Sequence, residues 1–259
     1  MSDGGYEALP YVWGNPVPAC HLRDAESDSV LSITKNLYLA LQALRYPDRS
    51  RILCVDAVCI NQSDNDEKSH QVKNMDSVYT NTSMVIMWLD NGKFHEAVQH
   101  LHWLEESSEI DFSMAYPEPA DFVDSIVATI IVIVSSEWFT RLWVIQEFIL
   151  AANVQIRAGH QHINYKTLEN AINKLYSRIV KWKPNPALIS AESSGKGGMS
   201  LDSYRSAVVL MGFRTRWHRQ PGSDLPQLSL YDCCCMIHDH PPNCANKRDL
   251  IYGLLGLAR

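Results

Sequence analysis

The sequence predicts an α/β fold in which a parallel sheet is flanked by helices. Short apolar runs alternate along the chain with amphipathic stretches of helical period, the pattern of strands interleaved with helices. Residues 52–60, ILCVDAVCI, are almost continuously apolar, as a strand covered on both faces has to be. The chain of 259 residues is 46% hydrophobic and 20% charged, the composition of a packed domain rather than of a disordered one. Its length suits one large domain or two small ones.

Taken in order, Tyr11, Val12 and Trp13 form a short first strand, stopped by Gly14 and Pro16. Thr34 or Ser32 can cap a helix through about Leu44, with Leu37, Leu41 and Leu44 on one stripe. Residues 52–60 make the second strand, ended by the polar stretch 61–66. A helix over 67–80 places Val72, Met75 and Tyr79 on one face, and residues 83–89 (SMVIMWL) form the third strand. The rhythm then changes. Helices over 95–106 and 122–134, separated by Pro117 and Pro119, read as a helical insertion over 91–136. A helix over 137–152, a strand over 154–158 and a helix over 165–182 resume the α/β core. Residues 184–200, rich in Pro, Ser, Gly and Lys, form a linker or mobile loop. A helix-rich extension over 183–259 follows, with helices near 201–216, 225–237 and 248–257.

The formal net charge of −6 argues against a dedicated nucleic-acid binder, which needs a basic excess to neutralise phosphates, and against docking on anionic lipid. The seven cysteines are odd in number and lack framework spacing, which points to a reducing, cytoplasmic compartment. Cys54 and Cys59 lie in apolar sequence, where a thiol behaves as a small hydrophobe. Cys233, Cys234 and Cys235, with His238, His240 and Cys244 downstream, match no zinc spacing, and adjacent side chains point apart. No metal is expected. The histidine pairs His100/His102 and His160/His162 read as surface or structural, the latter flanking a turn. The first fifteen residues carry no secretory signal. The most apolar run, 126–134, is far short of the roughly 20 residues a bilayer span requires, so it reads as a buried helix and no membrane segment is expected.

Four motifs, in order, carry a family resemblance. They are Tyr6–Glu–Ala–Leu–Pro–Tyr–Val–Trp–Gly14, then Val55–Asp–Ala–Val–Cys–Ile–Asn–Gln62 with Glu67, Lys68, Gln71, Met75 and Tyr79 behind it. Trp138–Phe–Thr–Arg–Leu–Trp–Val–Ile–Gln–Glu147 and Arg248–Asp–Leu–Ile–Tyr–Gly–Leu–Leu–Gly256 complete the set. Together they resemble the fungal heterokaryon incompatibility (HET) domain and cover nearly the whole chain. Pro10 stands where that family usually has serine, and Cys54 where it has an aromatic residue. Proline removes a backbone donor beside the first strand. HET domains are in turn similar to TIR domains, so the resemblance implies a TIR-like, flavodoxin-like core over 1–90 and 137–182 within a single domain. The chain ends at Ala258–Arg259, just after the last motif, which fits a segment of a longer protein.

TIR domains that cleave NAD carry a catalytic glutamate in a Trp-x-x-x-Glu helix, and Trp143-x-x-x-Glu147 is similar to it. The resemblance therefore implies that Glu147 is the catalytic carboxylate and NAD, or a related nucleotide, the substrate, with no cofactor. The chemistry is economical: nicotinamide is a good leaving group, and a carboxylate near the ribose stabilises the oxocarbenium-like transition state, as in glycosidases. Hydrolysis and cyclisation both remain open. Arg141 either reaches a phosphate or braces a carboxylate. Ligands in open parallel sheets sit outside the carboxyl ends of strands, which brings in Tyr11, Trp13 and Gly14 after the first strand and Asp56, Asn61 and Gln62 around the second. Asp56 interrupts an apolar run and needs a partner if buried; it serves either the site or the following loop. Asn61 and Gln62 are equally readable as turn-formers, and Trp143 as core. Clustering by a companion domain or an upstream trigger protein, leading to cell death, is the implied context. The alternative is a non-enzymatic module that acts by self-association.

Overall fold

The computed structural model describes residues 5–90, 94–106, 120–181, 201–218, 229–238, 242, 244 and 247–257. The expected loop at 184–200, with Gly195 to Gly198, and the prolines 117 and 119 lie outside the described residues, as do His240 and residues 225–228 of the expected helix 225–237.

The fold is α/β. Five strands form the central sheet: β1 (Glu7–Ala8), β4 (Leu53–Cys54), β5 (Met84–Asp90), β6 (Val154–Ala158) and β7 (Gln161–Asn164), in the order β4-β1-β5-β6-β7. All neighbours pair parallel except β6 and β7, which are antiparallel. Numbered by their place in the sheet this is the 2-1-3-4-5 order of flavodoxin-like folds, whose strand order reverses next to the first strand. A separate antiparallel hairpin, β2 (Cys20–Arg23) and β3 (Val30–Ile33), precedes helix α1 (Lys35–Leu44).

Strand β5 shows why the apolar runs become strands here. Val85, Met87 and Leu89 enter one core, while Ile86 and Trp88 enter a second on the opposite face. The second core is closed by α1, through Leu37, Ala40 and Leu44. Thr34, rather than Ser32, caps α1; its hydroxyl accepts from the Leu37 amide at 3.3 Å. The first core is filled by helices α5 (His95–Glu106), α6 (Ala120–Val134), α7 (Val144–Leu150) and α8 (Tyr165–Lys181). The apolar run at 126–134 is thus a buried helix face. Among the described residues no helix is long and apolar enough to cross a membrane.

Four elements differ from the sequence expectation, and each difference has a local cause. The first strand is Glu7–Ala8, and Tyr11 makes only an isolated bridge to Trp88. Pro10, lacking an amide hydrogen, interrupts the ladder between them. The run 52–60 is a two-residue strand followed by one helical turn, α2 (Asp56–Cys59). Asp56 starts that turn, and its carboxylate accepts from the Ala57 amide at 2.7 Å. The helix expected over 67–80 is two helices, α3 (Asn65–Lys73) and α4 (Met75–Asn81), broken at Asn74 with φ −105° and ψ 6°. The Asn74 amide donates back to Gln71 and Val72, and its side chain donates to the His70 carbonyl at 3.1 Å. The helix expected over 137–152 is a 3-10 turn at Glu137–Thr140, an extended residue at Arg141 (φ −82°, ψ 140°), and α7.

Two elements escaped the sequence reading, the β2–β3 hairpin and strand β7. The hairpin is short, and its first strand alternates between half-buried and exposed positions, so no apolar run marks it. His162 lies within β7, and only His160 sits in the turn, beside Gly159 at φ +60°. All seven cysteines are free; Cys233 is buried while Cys234 and Cys235 are exposed. They lie on helix α10 (Leu230–His238), which follows α9 (Leu201–Trp217) and precedes α11 (Asp249–Leu255). Among the described residues no group of three or more His, Cys, Asp or Glu side chains is placed to hold a metal ion.

Candidate functional site

A cleft of about 860 Å³ opens beside the ends of β1 and β4. Six of the nine residues singled out from sequence line it: Trp13, Asp56, Gln62, Arg141, Trp143 and Glu147. Trp13 follows β1 and Asp56 follows β4, so both sit outside the carboxyl ends of strands, as doubly wound folds arrange their ligands.

Tyr11, Gly14 and Asn61 do not line the cleft. Tyr11 is 1% exposed in the core beneath α1; its contribution is a carbonyl that accepts from Arg141 Nη1 at 2.5 Å. Gly14 adopts φ +66°, the left-handed region that favours glycine, and so turns the chain just after Trp13. Asn61 forms a turn: its carboxamide oxygen accepts from the Ser63 amide at 3.0 Å, and its own amide donates to Glu67 at 3.1 Å. Gln62 lines the cleft and also braces the α2 turn, donating to the Asp56 carbonyl at 2.9 Å.

Glu147 lies on α7, all seven residues of which are buried. Oε1 accepts from the Tyr79 hydroxyl at 3.1 Å, while Oε2 is buried without a hydrogen-bond partner among the described residues. Burial pushes its pKa up to about 7; the negative Asp56 adds to the rise, and the Arg141 charge and the Tyr79 hydrogen bond oppose it. A buried carboxylate costs heavily unless paired, so a half-satisfied one is held near its neutral form. Asp56 is raised as well, by burial, against the Ala57 amide, the Arg141 charge and the neighbouring Trp13 indole. The Tyr79 hydroxyl is pushed far up, so it remains a donor.

The break before α7 gives this arrangement. An unbroken helix would hold Arg141 and Glu147 on different faces, being six positions apart. The extended Arg141 instead sends its guanidinium across to the Tyr11 carbonyl beyond β1, where its charge acts on both acids. Trp138 fixes the segment: it is fully buried, packs edge-on against Phe139 and Phe148, and its indole donates to the Pro10 carbonyl at 3.3 Å.

The fourth motif closes the site from the far end of the chain. Asp249 and Tyr252 on α11 line the cleft, and the Tyr252 carbonyl accepts from Gln146 at 3.1 Å. Gly253 permits the close approach: a Cβ there would lie 2.9 Å from Leu142 Cγ, and Leu142 is fully buried. Gly253→Ala is therefore expected to cost about 1–3 kcal/mol through overpacking, lowering Tm by about 2–4 °C for each kcal/mol; an unchanged melting curve would contradict this packing. Sequence reasoning also passed over Tyr79 as a site residue and over Lys68 and Lys73, which line the cleft from α3. Tyr79 and Lys68 stood in the second motif, so the motif itself was the available signal.

The fold and the cleft define a doubly wound α/β domain with a buried carboxylate of near-neutral pKa at its strand ends. The sequence profile of the heterokaryon incompatibility proteins (HET) matches residues 6–147, more than half of the chain, and the chain belongs to that family. It is 27% identical over 293 residues to heterokaryon incompatibility protein 6, OR allele, of Neurospora crassa, across 98% of this chain and 43% of that protein. The chain thus spans less than half the length of this curated relative. No solved structure matches it.

Proposed function

We propose that this HET domain is a cell-death effector of fungal incompatibility that cleaves the nicotinamide–ribose bond of NAD. Membership in the family and the name of the Neurospora relative support the role in incompatibility. The observation that carries the chemistry is Glu147, a buried carboxylate with one oxygen that has no hydrogen-bond partner among the described residues, in a cleft shared with Arg141 and Asp56.

In this reading the C1′–N bond breaks with its electron pair going to the pyridinium nitrogen, so nicotinamide leaves neutral. Ionised Glu147 stabilises the positive charge developing at C1′, inside a desolvated wall where such an interaction is strong. Tyr79 orients one oxygen, leaving the other for the ribose. Arg141, anchored on the Tyr11 carbonyl, keeps Asp56 and Glu147 ionised together when substrate is bound. Water then adds at C1′ and gives a proton to solvent, yielding ADP-ribose; attack by an adenine nitrogen gives a cyclic product instead.

The test is nicotinamide release from NAD by the purified chain, free at high concentration and captured densely on beads. Release that rises on capture, and falls in an Arg141→Met variant, is the expected result. No release in either state would sink the enzymatic reading and leave the self-association module, which analytical ultracentrifugation would then have to show.

A further inference from the structure

Helix α3 turns a single stripe into the cleft. Asn65, Lys68, Ser69, Val72 and Lys73 all line it, at the i, i+3, i+4, i+7, i+8 spacing of one helical face. Lys68 is half-buried and Lys73 exposed. Among the described residues neither ammonium has an ion-pair partner. Of the two acids on the same helix, Glu67 accepts from the Asn61 amide at 3.1 Å and Asp66 does not line the cleft. The amides at the start of α3 are also occupied, because Asp64 accepts from Asp66 and Glu67 at 2.9 and 3.0 Å. Anion recognition on this wall therefore falls to the two lysine side chains.

We propose that Lys68 and Lys73 form a pyrophosphate-binding wall, so that the cleft takes dinucleotides and nucleoside-diphosphate sugars rather than the bare nicotinamide nucleoside. This rests on the reading that places the ribose beside Glu147. The charge layout fits a dipolar ligand: one wall carries the half-buried Asp56 and the buried Glu147, suited to a cationic pyridinium–ribose, and the α3 wall carries Lys68 and Lys73. Five residues of helix separate the lysines by about 7.5 Å along the axis, so each can take one phosphate. Lysine binds phosphate as a mobile point charge on a flexible stem, which suits a wall that is still half open to solvent.

Two measurements on the 259-residue chain test this, one independent of catalysis. Calorimetric binding of ADP-ribose, which has no nicotinamide to lose, is expected to weaken roughly 10–100-fold in the Lys68→Gln/Lys73→Gln variant and to recover in Lys68→Arg/Lys73→Arg. The preference for NAD over nicotinamide riboside in kcat/KM should fall by a similar factor. If the chain cleaves neither substrate but ADP-ribose binding depends on the lysines, the wall stands and the NAD-cleaving reading falls. ADP-ribose binding that is absent from the wild type, or equal in the wild type and the glutamine variant, overturns the proposal, as does an unchanged substrate preference.

Discussion

Glu147→Gln is expected to reduce nicotinamide release by roughly 10²–10³-fold while making the chain more stable at alkaline pH. Glutamine keeps the shape of the side chain and can still accept from Tyr79, but it carries no charge to place against a developing cation. The stability effect follows from the raised pKa of about 7 against a value of 4.5 for a free glutamate. Between those two pH values the folded chain holds a proton that the unfolded chain has lost, so stability falls as pH rises through the window. Above it, the buried charge has cost on the order of 3 kcal/mol relative to low pH. Glutamine removes that slope, so urea midpoints of wild type and variant should converge near pH 4.5 and separate by pH 8. Parallel curves across the range would show that Glu147 does not titrate as its burial requires. The activity itself should rise with pH, with an apparent pKa near 7 in kcat/KM, since that profile reports the free enzyme.

Arg214→Met is expected to cost about 3–5 kcal/mol of folding free energy, the largest loss from a single substitution outside the cleft. Arg214, on α9, is 6% exposed. Its guanidinium donates to the carbonyls of Phe148, Ala151 and Ala152, the last two at 2.6 and 3.1 Å. It also lies over the rings of Phe148 and Tyr165, 5.3 and 5.1 Å from their centres. These carbonyls belong to the end of α7 and the residues just past it, where a helix leaves acceptors unmatched and favours a cation. Methionine fills the volume but strands them. Tm should fall by roughly 10 °C. Because α7 carries Glu147, loosening it should also bring the pH-dependence of stability closer to that of an ordinary carboxylate. A Tm within about 2 °C of wild type would show that water replaces the arginine at little cost.

Neither Arg214 nor its partners stood out in the sequence, and the contrast with Glu147 is instructive. The family motifs marked Glu147, Asp56, Arg141 and Trp143, and all four line one cleft. Apolar periodicity marked β5, β6, α1 and α8 within a residue or two, because burial on one face or two leaves a local signature. The same periodicity fused α3 with α4, and the 3-10 turn with α7. It could not do otherwise, since both breaks lie inside stretches of uniform helical pattern. One is set by Asn74 bonding back on its own helix. The other is set by the Arg141 guanidinium reaching the carbonyl of Tyr11, 130 residues earlier in the chain.

The alternation of residue types was enough to specify the α/β class, and the family motifs marked which acidic residue to examine; the two-sided burial expected of residues 52–60 belongs instead to β5. The protonation of that acid, the lysine stripe facing it and the closure by α11 came only from packing. Hydrophobic period is a property of near neighbours in the chain. The free energy of a charge depends on everything within a few ångströms in space, and around Glu147 those groups come from α2, α4 and the extended residue ahead of α7.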